Sequence, residues 1–297
     1  MKDVIIIGKG PAGISAALYT VRGNFRTLIL GDEDSVLIKA EKIDNYYGFS
    51  ESISGRDLLL AGEKQAERIG ASVVSDEVYS IEQGLDGFTV KASRETYQAK
   101  AVLLATGQSR KKIQIQDLDK YEGKGISYCT TCDGFFYRNL PVGVVGSGDY
   151  AIHEAGELEA FTKDITIFTN GLNISVKDQE TIDKYKIETR KIVKVMGDDV
   201  IRGVIFEDGG EASIHGLFIA GESASALDFA RKMGVLFEGN NILVDKDHKT
   251  NIEGLFAAGD VTGGFKQIST AVGQGAIAGR KIIEYLKQKN REKSQKI

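Results

Sequence analysis

Val4-Ile5-Ile6-Ile7-Gly8-Lys9-Gly10-Pro11-Ala12-Gly13 lies at the start of the chain and decides its fold class. An unbroken run of branched apolar residues suits a parallel strand buried on both faces. The glycines after it permit a tight turn, and Ile14-Ser15-Ala16-Ala17-Leu18-Tyr19 has helical composition. In that order, strand, loop and helix let a pyrophosphate approach the helix N-terminus, where free amides and the helix dipole favour an anion. Thr27-Leu28-Ile29-Leu30 reads as the next strand. Asp32 and Glu33 lie just past its end, and one of them stands where a carboxylate accepts from a ribose hydroxyl.

The pattern returns at Val142-Gly143-Val144-Val145-Gly146-Ser147-Gly148-Asp149-Tyr150-Ala151, with Ile165-Thr166-Ile167-Phe168 as its second strand. Two such units in one chain carry more weight than either loop alone. They predict an α/β protein of two doubly wound dinucleotide-binding-type domains. Between them the spacing predicts an amphipathic helix within 54–70, strands at 71–74, 78–81 and 88–90, and a buried strand over 101–105 that ends in Thr106-Gly107. A basic link begins at Arg110-Lys111-Lys112. After the second unit come strands near 187–195, 200–207 and 216–220. Gly254-Leu255-Phe256-Ala257-Ala258-Gly259-Asp260 is then a strand ending in glycine and a carboxylate, and 268–286 a helix. Residues 1–109 and 243–297 therefore form one discontinuous domain, with 110–242 inserted into it. The polar, basic stretch 287–297 reads as a frayed, solvated end.

At 297 residues the chain is long enough for two cores. A formal net charge of −4 gives no support for a nucleic-acid partner. No apolar run approaches the ~20 residues of a membrane-spanning helix, and the first residues enter a strand directly, so the expectation is a cytoplasmic protein without a membrane.

Both cysteines lie in Cys129-Thr130-Thr131-Cys132-Asp133-Gly134. A close pair can cycle between dithiol and disulfide, with the thiolate as the reactive form. Asp133 can supply or take up the proton that each half of the cycle requires, and a carboxylate near a helix start is stabilising in its own right. Two thiols are only half of a tetrahedral zinc site, and His153, His215 and His248 lack finger-like spacing from them. No metal is expected.

Together these pieces resemble the low-molecular-weight thioredoxin reductase family over essentially the whole chain. The resemblance rests on the loop 8–13, Ala105-Thr106-Gly107, Cys129-Thr130-Thr131-Cys132-Asp133-Gly134-Phe135-Phe136-Tyr137, the loop 146–151 and the stretch 254–261. It implies FAD in the discontinuous domain, the redox pair on the inserted domain, a homodimer, and thioredoxin as partner. It places Gly8, Gly10, Pro11, Ala12 and Gly13 at the FAD pyrophosphate, and Asn45 near the flavin. Thr106, Gly107 and Gly259 follow from the same motifs. Asp260 is placed at the ribityl chain, with Lys266, Gln267 and Ile268 beside the isoalloxazine. Cys132 is the cysteine nearer the flavin, Cys129 the thiolate that attacks the partner's disulfide, and Asp133 the acid–base group.

One stretch departs from the family. Its ordinary members take electrons from NADPH, whose 2′-phosphate is gripped by an arginine cluster just past the strand at 165–168. Here that stretch is Thr169-Asn170-Gly171-Leu172-Asn173-Ile174-Ser175, without a cation. No carboxylate suited to NAD replaces it, and Tyr150 puts a bulky ring at the helix start. The chain then resembles ferredoxin-dependent flavin thioredoxin reductases of clostridial type, with Arg110-Lys111-Lys112 or Lys39 and Lys42 as docking cations for an acidic ferredoxin. The alternatives are an NAD(P)H-dependent reductase with a divergent nucleotide site, and a non-catalytic FAD-binding interaction protein.

Overall fold

The computed structural model describes residues 1–31, 35–107, 113–176, 179–221 and 226–295. Its elements in chain order are β1 (Lys2–Ile7), α1 (Pro11–Arg22), β2 (Thr27–Gly31), α2 (Gly55–Arg68), β3 (Ser72–Ser75), β4 (Val78–Gly84), β5 (Gly87–Ala92), β6 (Thr96–Leu104) and β7 (Ile126–Ser127). There follow α3 (Thr130–Asp133), β8 (Val142–Gly146), α4 (Asp149–Leu158), β9 (Ile165–Phe168), α5 (Gln179–Ile182), β10 (Lys186–Glu188), β11 (Ile192–Gly197), β12 (Ile201–Phe206), β13 (Glu211–Ser213) and β14 (Gly216–Gly221). The chain ends with α6 (Ala226–Lys232), β15 (Phe237–Glu238), β16 (Asn241–Ile242), β17 (Leu255–Ala257) and α7 (Ile268–Ser294).

These form two compact units, 1–110 with 225–297, and 111–224. Residues 226–242, which the sequence reading groups with the inserted domain, fall with the first unit in this division.

In the first unit a mixed sheet runs β3-β2-β1-β6-β5-β4, with β17 also on β6. The long β6 makes both arrangements possible. Its first half pairs antiparallel with β5, and its last residues pair parallel with β17. Strands β1 and β2 are buried along nearly their whole length, which is why they read as continuous apolar runs. Helices α1 and α7 pack closely because α7 carries glycine at the contact. A Cβ on Gly275 would overlap the Ala12 carbonyl, and one on Gly279 would lie 2.7 Å from the Ala16 carbonyl oxygen.

The second unit has an all-parallel sheet, β10-β9-β8-β14-β7, and a separate three-stranded sheet, β11-β12-β13. Val145, Phe168, Ile192, Phe206 and Leu217 share one core. The strand expected near 187–195 is two strands, β10 and β11, in different sheets. Thr189-Arg190-Lys191 makes the crossing, and Arg190 stacks on Phe206 while bonding Glu188 and Asp208.

The C-terminal stretch expected to fray is helical through Ser294. Pairs one turn apart hold it, Arg280 with Glu284 and Gln288 with Glu292, and Lys289 reaches Glu253 outside the helix. Among the described residues, no helix is long and apolar enough to cross a membrane.

At the foot of β1, Asp3 accepts from the Arg26 amide and guanidinium and pairs with Lys100. Burial opposes ionisation there, but the hydrogen bonds from Lys100 and Arg26 win and hold its carboxyl at about 2. A carboxylate whose pKa falls on folding contributes fully above its unfolded pKa, roughly 3.9, and that contribution is lost as pH falls through the folded value. Asp3→Asn is therefore expected to lower stability at pH 7 by about 1–2 kcal/mol. Thermal melts of the two proteins should converge as pH is lowered towards 2; a difference independent of pH would show that the carboxylate charge is not the cause.

Candidate functional site

The first glycine loop is shaped to let other backbone come close. Gly8 has φ +118°, and a Cβ there would overlap the Ala105 carbonyl at the end of β6. Gly13, inside α1, leaves room for the Gly8 carbonyl in the same way. Gly10 is different, because a Cβ built on it meets nothing within 4 Å. It is also the N-cap of α1, with Pro11 behind it, no side-chain cap and no acidic residue in the first turn. The helix N-terminus therefore offers its amides to open space with no carboxylate in its own first turn, which suits a pyrophosphate. The loop's cation, Lys9, bonds Ser75 Oγ at 2.9 Å and lies 3.5 Å from Glu63.

Residues far apart in sequence meet around this loop. Gly259, with φ +85°, leaves a close approach to Ala12. Its amide donates to Gln274 Oε1 at 2.7 Å, a residue that sequence reading passes over. The only sequence signal for Gln274 is a lone amide among the small residues of Ala271-Val272-Gly273-Gln274-Gly275. Asp260 begins a short helical turn, Asp260–Thr262. Burial pushes its carboxyl up, and the nearby Lys266 ammonium pulls it back in part. Asn45 Nδ2 donates to Gln267 Oε1 at 3.0 Å, so two residues expected at the flavin are joined across 222 positions. Thr106 and Gly107 follow β6, Gly107 with φ +72°, and Ile268 begins α7. Asp32, Glu33 and Arg110-Lys111-Lys112 lie outside the described residues. The open helix end, the glycine cradle and a polar set at the start of α7 fit FAD.

The second glycine loop has the same turn and a different environment. Gly148 caps α4 without a side-chain bond, but Asp149 stands in the first turn and Tyr150 is fully buried behind it. After β9 the chain turns on two consecutive left-handed residues, Asn170 (φ 55°) and Gly171 (φ 82°). Asparagine and glycine are the residues that tolerate this conformation. Asn170 Oδ1 also accepts the Ile192 amide at 2.8 Å. The turn sends 172–176 back as a strap over the loop. Ser175 donates its amide to the Ser147 carbonyl at 2.8 Å and bridges Gly148.

The cysteines form a disulfide with Cα atoms 5.3 Å apart. They sit at the end of β7, on the one-turn helix α3. Cys129 is the N-cap of α3 and is buried; Cys132 is exposed. The Cys132 amide donates to Cys129 Sγ at 3.2 Å, so the same N–H would stabilise a thiolate formed at Cys129. Two threonines tie this turn to α4. Thr130 Oγ1 donates to Glu154 Oε2 at 2.7 Å with both residues buried, and Thr131 Oγ1 lies 3.5 Å from Glu157 Oε2. Asp133 is half-buried and accepts from Ser127 Oγ at 2.6 Å. Tyr137 packs edge-on to Phe218, and burial, with a lesser push from the Asp133 charge, raises its phenol. Among the described residues no group of His, Cys, Asp and Glu could hold a metal ion.

The Thr130–Glu154 bond is the anchor of the redox turn that removal should expose most directly. Thr130→Val keeps the shape and deletes the donor to a buried carboxylate, at an expected cost of about 1–3 kcal/mol. Denaturant titration of the oxidised protein measures it; an unchanged midpoint would mean that α4 does not hold the turn through this bond.

The sequence pattern of the pyridine nucleotide-disulphide oxidoreductases matches residues 2–275. A thioredoxin reductase of Listeria innocua is 32% identical over 306 residues, covering 96% of this chain and 94% of its own length. The atypical thioredoxin reductase TRi of Desulfovibrio vulgaris Hildenborough superposes with a TM-score of 0.91 at 43% identity, over 97% of this chain and 99% of that one. A ferredoxin-flavin thioredoxin reductase of Clostridium acetobutylicum superposes with a TM-score of 0.71 at 28% identity, over 97% and 98%. With its two glycine loops, its FAD cradle and its Cys129–Cys132 disulfide, the chain belongs to the low-molecular-weight thioredoxin reductases, flavoenzymes of the pyridine nucleotide-disulphide oxidoreductase family.

Proposed function

We propose that this thioredoxin reductase is fed by a reduced ferredoxin rather than by a pyridine nucleotide, and that the electrons reach thioredoxin through Cys129 and Cys132. The observation that carries the reading is the strap 172–176 on the second glycine loop. In this fold class a dinucleotide runs across such a loop towards the end of the next strand. Here it would meet the Ser175 backbone, the Asp149 carboxylate at the helix end, and a left-handed Asn-Gly turn in place of arginines. A carboxylate in the first turn is stabilised by the helix dipole and repels a phosphate from the same place. The nearby cation Arg190 is engaged by Glu188 and Asp208. Losing several charge-assisted contacts, each worth about 1.5–3 kcal/mol, weakens nucleotide binding by orders of magnitude.

FAD, when bound in the first unit, takes up electrons singly and releases them as a pair. The chain's own residues supply the rest. Gly8, Gly10 and Gly13 receive the pyrophosphate on the α1 amides, Asp260 and the Asn45–Gln267 pair hold the polyol and ring, and Asp133 serves as acid–base group for the cysteines. The balance is two reduced ferredoxins, one thioredoxin disulfide and two protons giving two oxidised ferredoxins and thioredoxin dithiol. Lys39 and Lys42, both exposed, are candidate contacts for an acidic donor. A homodimer in the cytoplasm belongs to the same reading. The other reading, use of NADPH or NADH, is favoured by the likeness to reductases such as that of Listeria innocua.

Flavin absorbance of the FAD-loaded protein under anaerobic conditions separates the two. Reduced ferredoxin is expected to bleach it, with NADPH and NADH leaving it oxidised at micromolar concentration. Fast bleaching by either nucleotide would overturn the ferredoxin reading and make 169–175 an unorthodox cofactor site.

A further inference from the structure

Ser127 is buried at the end of β7, where the parallel pairing with β14 sets it opposite Phe218. Its hydroxyl oxygen accepts the Cys129 amide at 3.0 Å. It has one proton to give and two acceptors within reach, Asp133 Oδ2 at 2.6 Å and the Cys129 carbonyl at 3.3 Å. The carboxylate is the nearer and stronger acceptor, and 2.6 Å is the length of a charge-assisted O–H···O⁻ bond. The Asp133 amide in turn donates to the Cys129 carbonyl at 3.1 Å. One hydroxyl thus ties the carboxyl at the end of the redox turn to the backbone of the cysteine at its start. Tyr137, the other titratable group beside Asp133, has its phenol raised and stays protonated.

We propose that Ser127 is a positioning residue for thiol–disulfide exchange, aiming the Asp133 carboxyl at the Cys129 side of the pair. The proposal rests on the reading of Asp133 as acid–base group. The Cys129 thiolate attacks the partner's disulfide, forming a mixed disulfide and expelling a partner thiolate, which takes the proton from Asp133. Cys132 then gives its proton to Asp133 as its sulfur attacks Cys129 Sγ. The bond from Cys129 to the partner breaks, and the second partner thiolate takes a proton from solvent. Two electrons pass from the cysteines to the partner. Asp133, protonated before the first transfer and again after the second, then loses that proton to solvent, which leaves the carboxylate that Ser127 bonds in the disulfide state. Ser127 donates whenever Asp133 is ionised, and so keeps the carboxylate from swinging into solvent between the two transfers.

The test is a single turnover, which needs no natural donor. FAD-loaded protein, fully reduced with dithionite, is mixed with an oxidised bacterial thioredoxin, and the appearance of thioredoxin dithiol is timed. Ser127→Ala is expected to slow the step about tenfold, as loss of a bond to a charged group implies. Ser127→Thr, which keeps the hydroxyl, should recover most of the rate. Asp133→Asn should slow it about 100-fold or more, and the double variant should be no slower than Asp133→Asn alone. A wild-type rate for Ser127→Ala beside a slow Asp133→Asn overturns the role of Ser127 and leaves that of Asp133 standing. Multiplying losses in the double variant make Ser127 merely structural. A wild-type rate for Asp133→Asn removes the acid–base reading itself, and the proposal with it. Should Ser127→Ala not fold, Asp133→Glu carries the test, since it keeps the acid and displaces it from the hydroxyl. It is expected to lose about tenfold, and an undiminished rate overturns the proposal.

Discussion

The first turn of a helix presents amides that have no partner within the helix, and this chain meets that constraint twice with opposite results. At α1 the cap is a glycine open to space, the next residue is proline, and the first turn of the helix carries no acidic residue. Those amides are left for a ligand, and the unit around them is built to keep them so. β6 lies against Gly8, α7 packs on α1 through Gly275 and Gly279, and Gly259 reaches in beside Ala12. At α4 the same turn carries Asp149, a buried tyrosine and a strap bonded to the loop's own carbonyl. One constraint, met by open space at the first helix end and by the chain itself at the second, separates two units that share a fold.

Much of this was legible in the sequence because it is local. Continuous apolar runs followed by glycines mark parallel strands and their loops wherever they occur, and Val4-Ile5-Ile6-Ile7 and Val142-Gly143-Val144-Val145 both lie where that pattern puts them. The departure at 169–175 was legible too, but only as missing charge. What fills the place is a backbone conformation, the left-handed pair Asn170-Gly171, and composition alone does not say that a chain returns over its own loop. Where periodicity misled, the reason is also local. Thr189-Arg190-Lys191 contains no glycine or proline, so nothing in it announces a change of sheet. The tail after 286 looks like a solvated coil until its i,i+4 partners are counted together.

The residues that sequence reading missed owe their roles to distant partners. Gln274 matters because Gly259 donates to it, Glu154 because Thr130 does, and Ser127 because β7 lies at the edge of the sheet beside β14. Each is an ordinary polar residue in an ordinary helix or strand. The cysteine pair, by contrast, announces itself, since two thiols with two residues between them are visible in the sequence before any of their surroundings are known. Reactive atoms were therefore readable and their supports were not, as expected when first contacts are local and the groups that orient them come from other elements.

The unequal burial of the two sulfurs bears on the order of events. In the oxidised pair Cys132 is the exposed member and Cys129 the enclosed one. Attack on a disulfide requires access to one sulfur and a good leaving group at the other. Cys132 provides the first, and Cys129, at the head of α3 with the Cys132 amide directed at its sulfur, provides the second. Electrons entering at Cys132 would leave negative charge on Cys129, where an amide already faces the sulfur. For that thiolate to reach a protein disulfide, the redox turn must open at Cys129. The groups that resist opening are the ones that hold the turn in place, Thr130 on Glu154 and Ser127 on Asp133. The bond to Asp133 would weaken on protonation of that carboxyl, because the hydroxyl would then face a neutral acceptor. With Asp133 in the proposed acid–base role, the turn would be looser in the state with a proton to deliver and tighter once the proton is gone.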